Sequence, residues 1–166
     1  MKIIEKFNRK INMQLPLKTI ILRHNKENLK KCSLRGLESR EDMAFYTYPK
    51  DILPSLDSYL LLTLEGKILS PADAHLGIFL IDGTWKYSEV MYKQLPKPHL
   101  FQARSLPPGL QTAYPRKQTD CIDPERGLAS IEALFATYVL LGKDPKGLLD
   151  HYHWKEEFLE KNKFFF

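Results

Sequence analysis

Four apolar runs dominate the first half of the chain: KTIILRH (18–24), MAFYTYP (43–49), YLLLTL (59–64) and AHLGIFLID (74–82). Each is nearly continuous rather than alternating, the pattern of strands covered on both faces. The spacing therefore predicts an α/β fold with a mostly parallel sheet. Between the runs lie the basic NKENLKKCSLRGLESRED, a turn at Pro54 and EGKILSPADAH. Past Trp85, KYSEVMYKQL predicts one short helix ended by Pro96 and Pro98.

The second half reads differently. Residues 99–125 have room for one short strand and are otherwise irregular. A long irregular segment in a compact domain tends to be functional. Asp123-Pro124-Glu125 predicts a helix start, with a capping oxygen, a proline in the first turn and an acid near the positive dipole end. Leu128, Ile131, Leu134, Phe135, Tyr138 and Leu141 then recur at helical spacing up to Gly142. PKGLLDHYHWKEEFLEKNKFFF predicts a second amphipathic helix with an aromatic tail. The chain thus divides into an α/β half, 1–95, and a loop-and-helix half, 96–166, expected to form one compact unit. No internal repeat interrupts this plan.

Composition narrows the class. With 166 residues, 43% of them hydrophobic, the chain suits a single domain with its own core. No run approaches the roughly 18 uncharged apolar residues a membrane span needs. The opening MKIIEKFNRK carries charges where a secretory signal would be apolar, so a cytoplasmic protein is expected. Cys32 and Cys121 form no paired motif and read as reduced thiols, with no metal site implied.

Charge adds a partner class. The net +5 is unevenly spread: residues 1–40 hold eleven Lys/Arg against three acids, and 83–118 hold six against one. Residues 41–82 hold two bases against seven acids. Segregation of this kind suits a polyanion, because basic side chains that neutralise phosphates release condensed counterions.

The usual nucleotide and zinc-protease signatures, G-x-x-x-x-G-K-[ST], G-x-G-x-x-G and H-E-x-x-H, are absent. His151 and His153, two apart on the expected last helix, face different ways and read as surface residues. The stretch LIDGTW (80–85) is the more informative one. Ligands of open α/β sheets bind at the carboxyl ends of strands, which is where Asp82 falls. Asp82 either works on a ligand or caps the following helix, and Trp85 either lines a site or fills core. Ser130 and Glu132 carry the same ambiguity: a helix start favours anionic ligand groups, and such residues also stabilise helix starts alone.

Six pieces in order, KKCSLRGL (30–37), ILSPADA (68–74), IDGTW (81–85), RSLPPGLQTAYP (104–115), GLASIEALFA (127–136) and YHWKEEFLEKN (152–162), resemble the small-subunit rRNA aminocarboxypropyltransferases. They also resemble the related DTW-domain tRNA-uridine aminocarboxypropyltransferases. The resemblance implies a SPOUT-like trefoil-knotted domain with residues 105–115 in the knot. It implies transfer of the 3-amino-3-carboxypropyl group of S-adenosylmethionine to a uridine or pseudouridine of RNA, rRNA before tRNA, with release of 5'-methylthioadenosine and without a metal.

The family's site residues fall on this chain as follows. Asp82 lies near the reacting centre and Trp85 walls in the sulfonium methyl. Ser33 lies near the methionine carboxylate. Leu106, Leu110 and Tyr114 contact adenosine, and Ser130 and Glu132 face it from the helix start. The chain departs from the family at Leu34, which replaces a glycine, at Tyr114-Pro115, and in the absence of N-terminal cysteine pairs.

Chemistry gives these residues separate tasks. A sulfonium has three carbons open to displacement, so the carbon presented to the nucleophile decides the product. A methyl buried against Trp85 leaves the side-chain carbon exposed, and Asp82 is placed to orient or accept the proton of a ring imide. RNA is expected on a face made by Lys30, Lys31, Arg35, Arg104, Arg116 and Lys117, with a monomer as the simplest assembly. The same fold also allows a SPOUT-type RNA methyltransferase or a non-catalytic RNA- or ribosome-binding protein.

Overall fold

The computed structural model describes residues 16–95, 101–115 and 127–166. Five strands form one sheet: β1 (Thr19–His24), β2 (Met43–Tyr48), β3 (Tyr59–Ile68), β4 (Gly77–Asp82) and β5 (Gln102–Ser105). Their order is β2-β1-β4-β3-β5, and every pairing is parallel. Three helices accompany them: α1 (Trp85–Lys93), α2 (Ser130–Leu140) and α3 (Lys155–Lys161).

The continuous apolar runs have the expected cause. Successive strand side chains point to opposite faces, and here both faces are buried. Ile21, Leu60, Ile78 and Leu80 join Ile131, Leu134 and Tyr138 of α2 and Phe158 of α3 on one side. Ile20, Leu22, Leu61 and Phe79 join Met91 of α1 and Phe101 on the other. Leu34, at the position where the resembling family has glycine, is fully buried in the first of these layers.

Two helix expectations need correction. Residues 127–129 are not helical and α2 opens at Ser130, so the expected start at Asp123 is too early; Asp123, Pro124 and Glu125 themselves lie outside the described residues. The final helix is also shorter than its pattern suggests, since turns occupy 147–151 and α3 begins only at Lys155. Gly147 has φ +79°, a left-handed conformation that no helix continues through. The carbonyl of Lys146 accepts from Arg40 Nη1 at 2.9 Å instead of from a helical amide. His151 and His153 consequently sit exposed in turns, not on a helix.

Chain connections leave β1 and β4 in opposite directions, toward β2 on one side and toward β5 on the other. Adjacent strands that diverge in this way open a crevice at their carboxyl ends. Arg23 pairs with Asp82 in that register, one residue from the end of each strand or at it.

Candidate active site at the carboxyl ends of β1 and β4

Alternation decides what these two residues meet. Arg23 points to the same face as Ile21, and Asp82 to the same face as Ile78 and Leu80, the layer covered by α2. Asp82 is only 4% exposed. A charge so deeply placed needs a partner, and Arg23 Nε meets Asp82 Oδ2 at 3.0 Å. Arg23 also reaches Glu38 Oε1 at 2.9 Å and stands 4.8 Å from the Phe45 ring centre.

Further donors converge on the Asp82 carboxylate. The Cys32 thiol donates to Oδ2 at 3.3 Å, and Ser130 Oγ donates to Oδ1 at 2.9 Å. Burial first, then the Asp82 charge, pushes the Cys32 thiol up to about 12, with Arg23 opposing the rise. Cys32 is therefore a neutral donor at physiological pH rather than a thiolate nucleophile. Ser33, next in the chain, accepts the Ile131 amide at 3.3 Å. The turn after β1 and the start of α2 are thus tied to one carboxylate.

The helix after β4 has its own cap. Thr84 accepts the Tyr87 amide through its side chain at 3.4 Å and occupies the N-cap position of α1. Asp82 is not that cap, and the capping alternative raised by the sequence falls away. Trp85, the first residue of α1, is half-buried and faces the cleft described next.

That cleft, about 1180 Å³ in volume, lies over the carboxyl ends of β1, β3 and β4. Seven of the eight residues expected to act on or hold the cofactor line it: Ser33, Asp82, Trp85, Leu106, Leu110, Tyr114 and Ser130. Glu132 does not. It is fully buried, with Oε1 accepting from the Ala113 amide and the Tyr152 hydroxyl, both at 2.8 Å, and Oε2 accepting from Thr112 Oγ1 at 2.6 Å and the Ala129 amide at 2.8 Å. It braces the cleft wall instead of facing a ligand. Asn162 adds a second brace, accepting the Gln111 amide and donating to the Gln111 carbonyl, each at 2.8 Å.

The expected basic face divides as well. Lys30, Lys31 and Arg35 are exposed, and Lys31 lines the cleft. Arg104 is withdrawn from that face: it is buried and held by Asp73 at 2.9 Å, with its remaining donors on Gln102 and the Ala103 carbonyl. Its position on β5 points it inward, where a cation must be paired. Arg116 and Lys117 lie outside the described residues.

Four positions that shape the cleft escaped the sequence reading: Arg23, Glu27, Cys32 and Asn162. For Arg23 a signal existed, since a cation inside IILRH implies an anion on a neighbouring strand. Glu27 sits in the turn after β1 with its amide on the His24 carbonyl at 3.0 Å, and it is among the residues lining the cleft. Its Oε2 is buried and has no hydrogen-bond partner among the described residues. Burial, then the nearby Asp82 charge, holds its carboxyl above the usual range, against a smaller pull from Arg23.

No group of three or more His, Cys, Asp or Glu among the described residues is arranged to hold a metal ion, and no described helix is long and apolar enough to cross a membrane. The sequence matches no protein-family profile, and no curated protein matches it. In three dimensions the chain is similar to the S-adenosylmethionine-dependent rRNA aminocarboxypropyl (acp) transferase Tsr3 from Vulcanisaeta distributa. The TM-score is 0.70 at 22% sequence identity, over 91% of this chain and 81% of that one. What the two share at that identity is the fold.

Proposed function

We propose that the chain transfers the 3-amino-3-carboxypropyl group of S-adenosylmethionine to a uridine or pseudouridine nitrogen of RNA, with rRNA as the favoured substrate. The observation that carries this reading is the meeting of Asp82, Trp85, Ser33, Ser130 and the 106–114 loop around one cleft. The solved structure of like fold is itself described as an rRNA acp-transferase that depends on S-adenosylmethionine. In this reading the knotted SPOUT-like topology is shared, with residues 105–115 in the knot.

The roles follow from the contacts. Trp85 walls in the methyl, and Leu106, Leu110 and Tyr114 supply an apolar seat for adenosine. Ser33 stands at the start of α2, where amides and the helix dipole favour a carboxylate. Asp82, held by Arg23, Cys32 and Ser130, orients the acceptor imide and draws on its proton. As the imide nitrogen gives its proton to Asp82 and bonds to the aminocarboxypropyl carbon attached to sulfur, that carbon–sulfur bond breaks, its electron pair stays on sulfur, and 5'-methylthioadenosine leaves. RNA lies along Lys30, Lys31 and Arg35.

The deciding experiment supplies RNA with S-adenosylmethionine labelled either in the carboxyl carbon or in the methyl carbon. Carboxyl label entering RNA is the expected result. Methyl label entering instead would make the protein a methyltransferase, and no label from either would leave a binding protein.

A further inference from the structure

Among the acids around the cleft, two have opposite hydrogen-bond states. Asp82 already accepts from Arg23, Cys32 and Ser130. Glu27, across the same crevice, keeps one oxygen buried without any donor among the described residues. A carboxylate oxygen has room for about two hydrogen bonds, and burying it unpaired costs free energy that a bound donor offsets.

Arg23, whose charge is felt at Glu27, does not supply that donor. The donors of Arg23 go to Asp82, Glu38 and Cys32, and it reaches Glu27 only through space. Glu27 and Asp82 meanwhile repel one another, which raises the Glu27 carboxyl further. Both effects are relieved by the same event, a positive donor entering the cleft beside Glu27.

We infer that Glu27 receives the primary ammonium of the aminocarboxypropyl group, fixing the amino-acid end of the cosubstrate at the β1 side of the cleft. This deepens the proposed function and rests on it. The ammonium brings three donors and a full charge, the combination best suited to an unpaired carboxylate. The contact also bears on which carbon reacts: with the ammonium held by Glu27 and the methyl against Trp85, the carbon chain between sulfur and amine spans the cleft rather than folding back. Glu27 is thereby a determinant of specificity for the amino-acid portion of the ligand.

Calorimetric titration of wild type and Glu27→Gln with three ligands tests this. S-Adenosylmethionine has the ammonium and the sulfonium charge, S-adenosylhomocysteine has the ammonium alone, and 5'-methylthioadenosine has neither. The Gln variant is expected to bind the first two about tenfold or more weakly, the scale of a lost charged hydrogen bond, and to bind 5'-methylthioadenosine as wild type does. Equal weakening of all three would mean a distorted cleft, and no weakening would mean that water or another group satisfies the oxygen; either overturns the inference. Weakening of S-adenosylmethionine alone would place Glu27 at the sulfonium and overturn it too. If wild type binds none of the three, the proposed function fails first, and the inference falls with it.

Discussion

Glu132 holds the amide of Ala113 at 2.8 Å across nineteen residues of sequence, so a side chain in the first turn of α2 sets the path of the cleft's outer wall. Its carboxylate accepts from four groups in all. Replacing Glu132 with Ala strands two backbone amides and two hydroxyls in a dry site. The expected loss is about 3 kcal/mol or more, visible in urea unfolding. A variant as stable as wild type would mean that the wall does not depend on this brace.

Asp82→Asn keeps the side chain's shape but removes the charge opposite Arg23. Arg23 keeps Glu38, so stability should fall by only about 1–3 kcal/mol. Single-turnover transfer should fall by about a hundredfold or more, the scale of a lost proton acceptor. Because Thr84 caps α1, capping cannot account for any loss. Full activity in Asp82→Asn would remove Asp82 from the chemistry.

Trp85→Ala separates binding from folding. Trp85 is half-buried at the cleft and absent from both core layers, so unfolding should shift by less than about 1 kcal/mol. Affinity for S-adenosylmethionine should weaken by about 2 kcal/mol, the order of an aromatic contact surrendered in a binding site. Calorimetry beside thermal unfolding reads both, and a variant that binds unchanged would place the methyl elsewhere.

The pair Asp73–Arg104 gives a pH signature remote from the cleft chemistry. The Arg104 hydrogen bond, resisted by burial, holds the Asp73 carboxyl below its ordinary range. A carboxyl with a lowered folded-state value binds its proton more readily in the unfolded chain. Its contribution is therefore complete above the unfolded value of about 3.9 and disappears as pH drops through the lower folded value. Asp73→Asn should be less stable than wild type at pH 7, and the gap should close in denaturant titrations carried below about pH 4. A gap independent of pH would show that the ion pair contributes little.

The strands were legible because burial on both faces leaves an unbroken apolar signature, and YLLLTL and GIFLID carry it without competition. The cleft was legible where a residue's type is unusual for its place, as with an acid ending β4 and a tryptophan opening α1. Helix limits were less so: the period of 128–141 says which residues face inward, not that residues 127–129 stay outside the helix, and the 145–162 pattern could not show Arg40 capturing the Lys146 carbonyl. Glu132 and Arg104 were misplaced for one reason. Sequence gives a charge but not its direction, and both side chains turn inward to partners, at Ala113 and Asp73, that only the folded chain brings near.

The Asn162 clamp on Gln111 bears on the order in which this protein matures. Synthesis completes the whole sheet well before it reaches Asn162, fifty-one residues beyond the loop it grips. Contacts that distant in sequence form late, after nearer ones have reduced the entropy of closing the loop. A nascent chain can therefore own a finished sheet and still lack the grip on the cleft wall built from the loop at Gln111. The cleft wall should therefore settle only when the segment carrying Asn162 docks, as the last part of the fold.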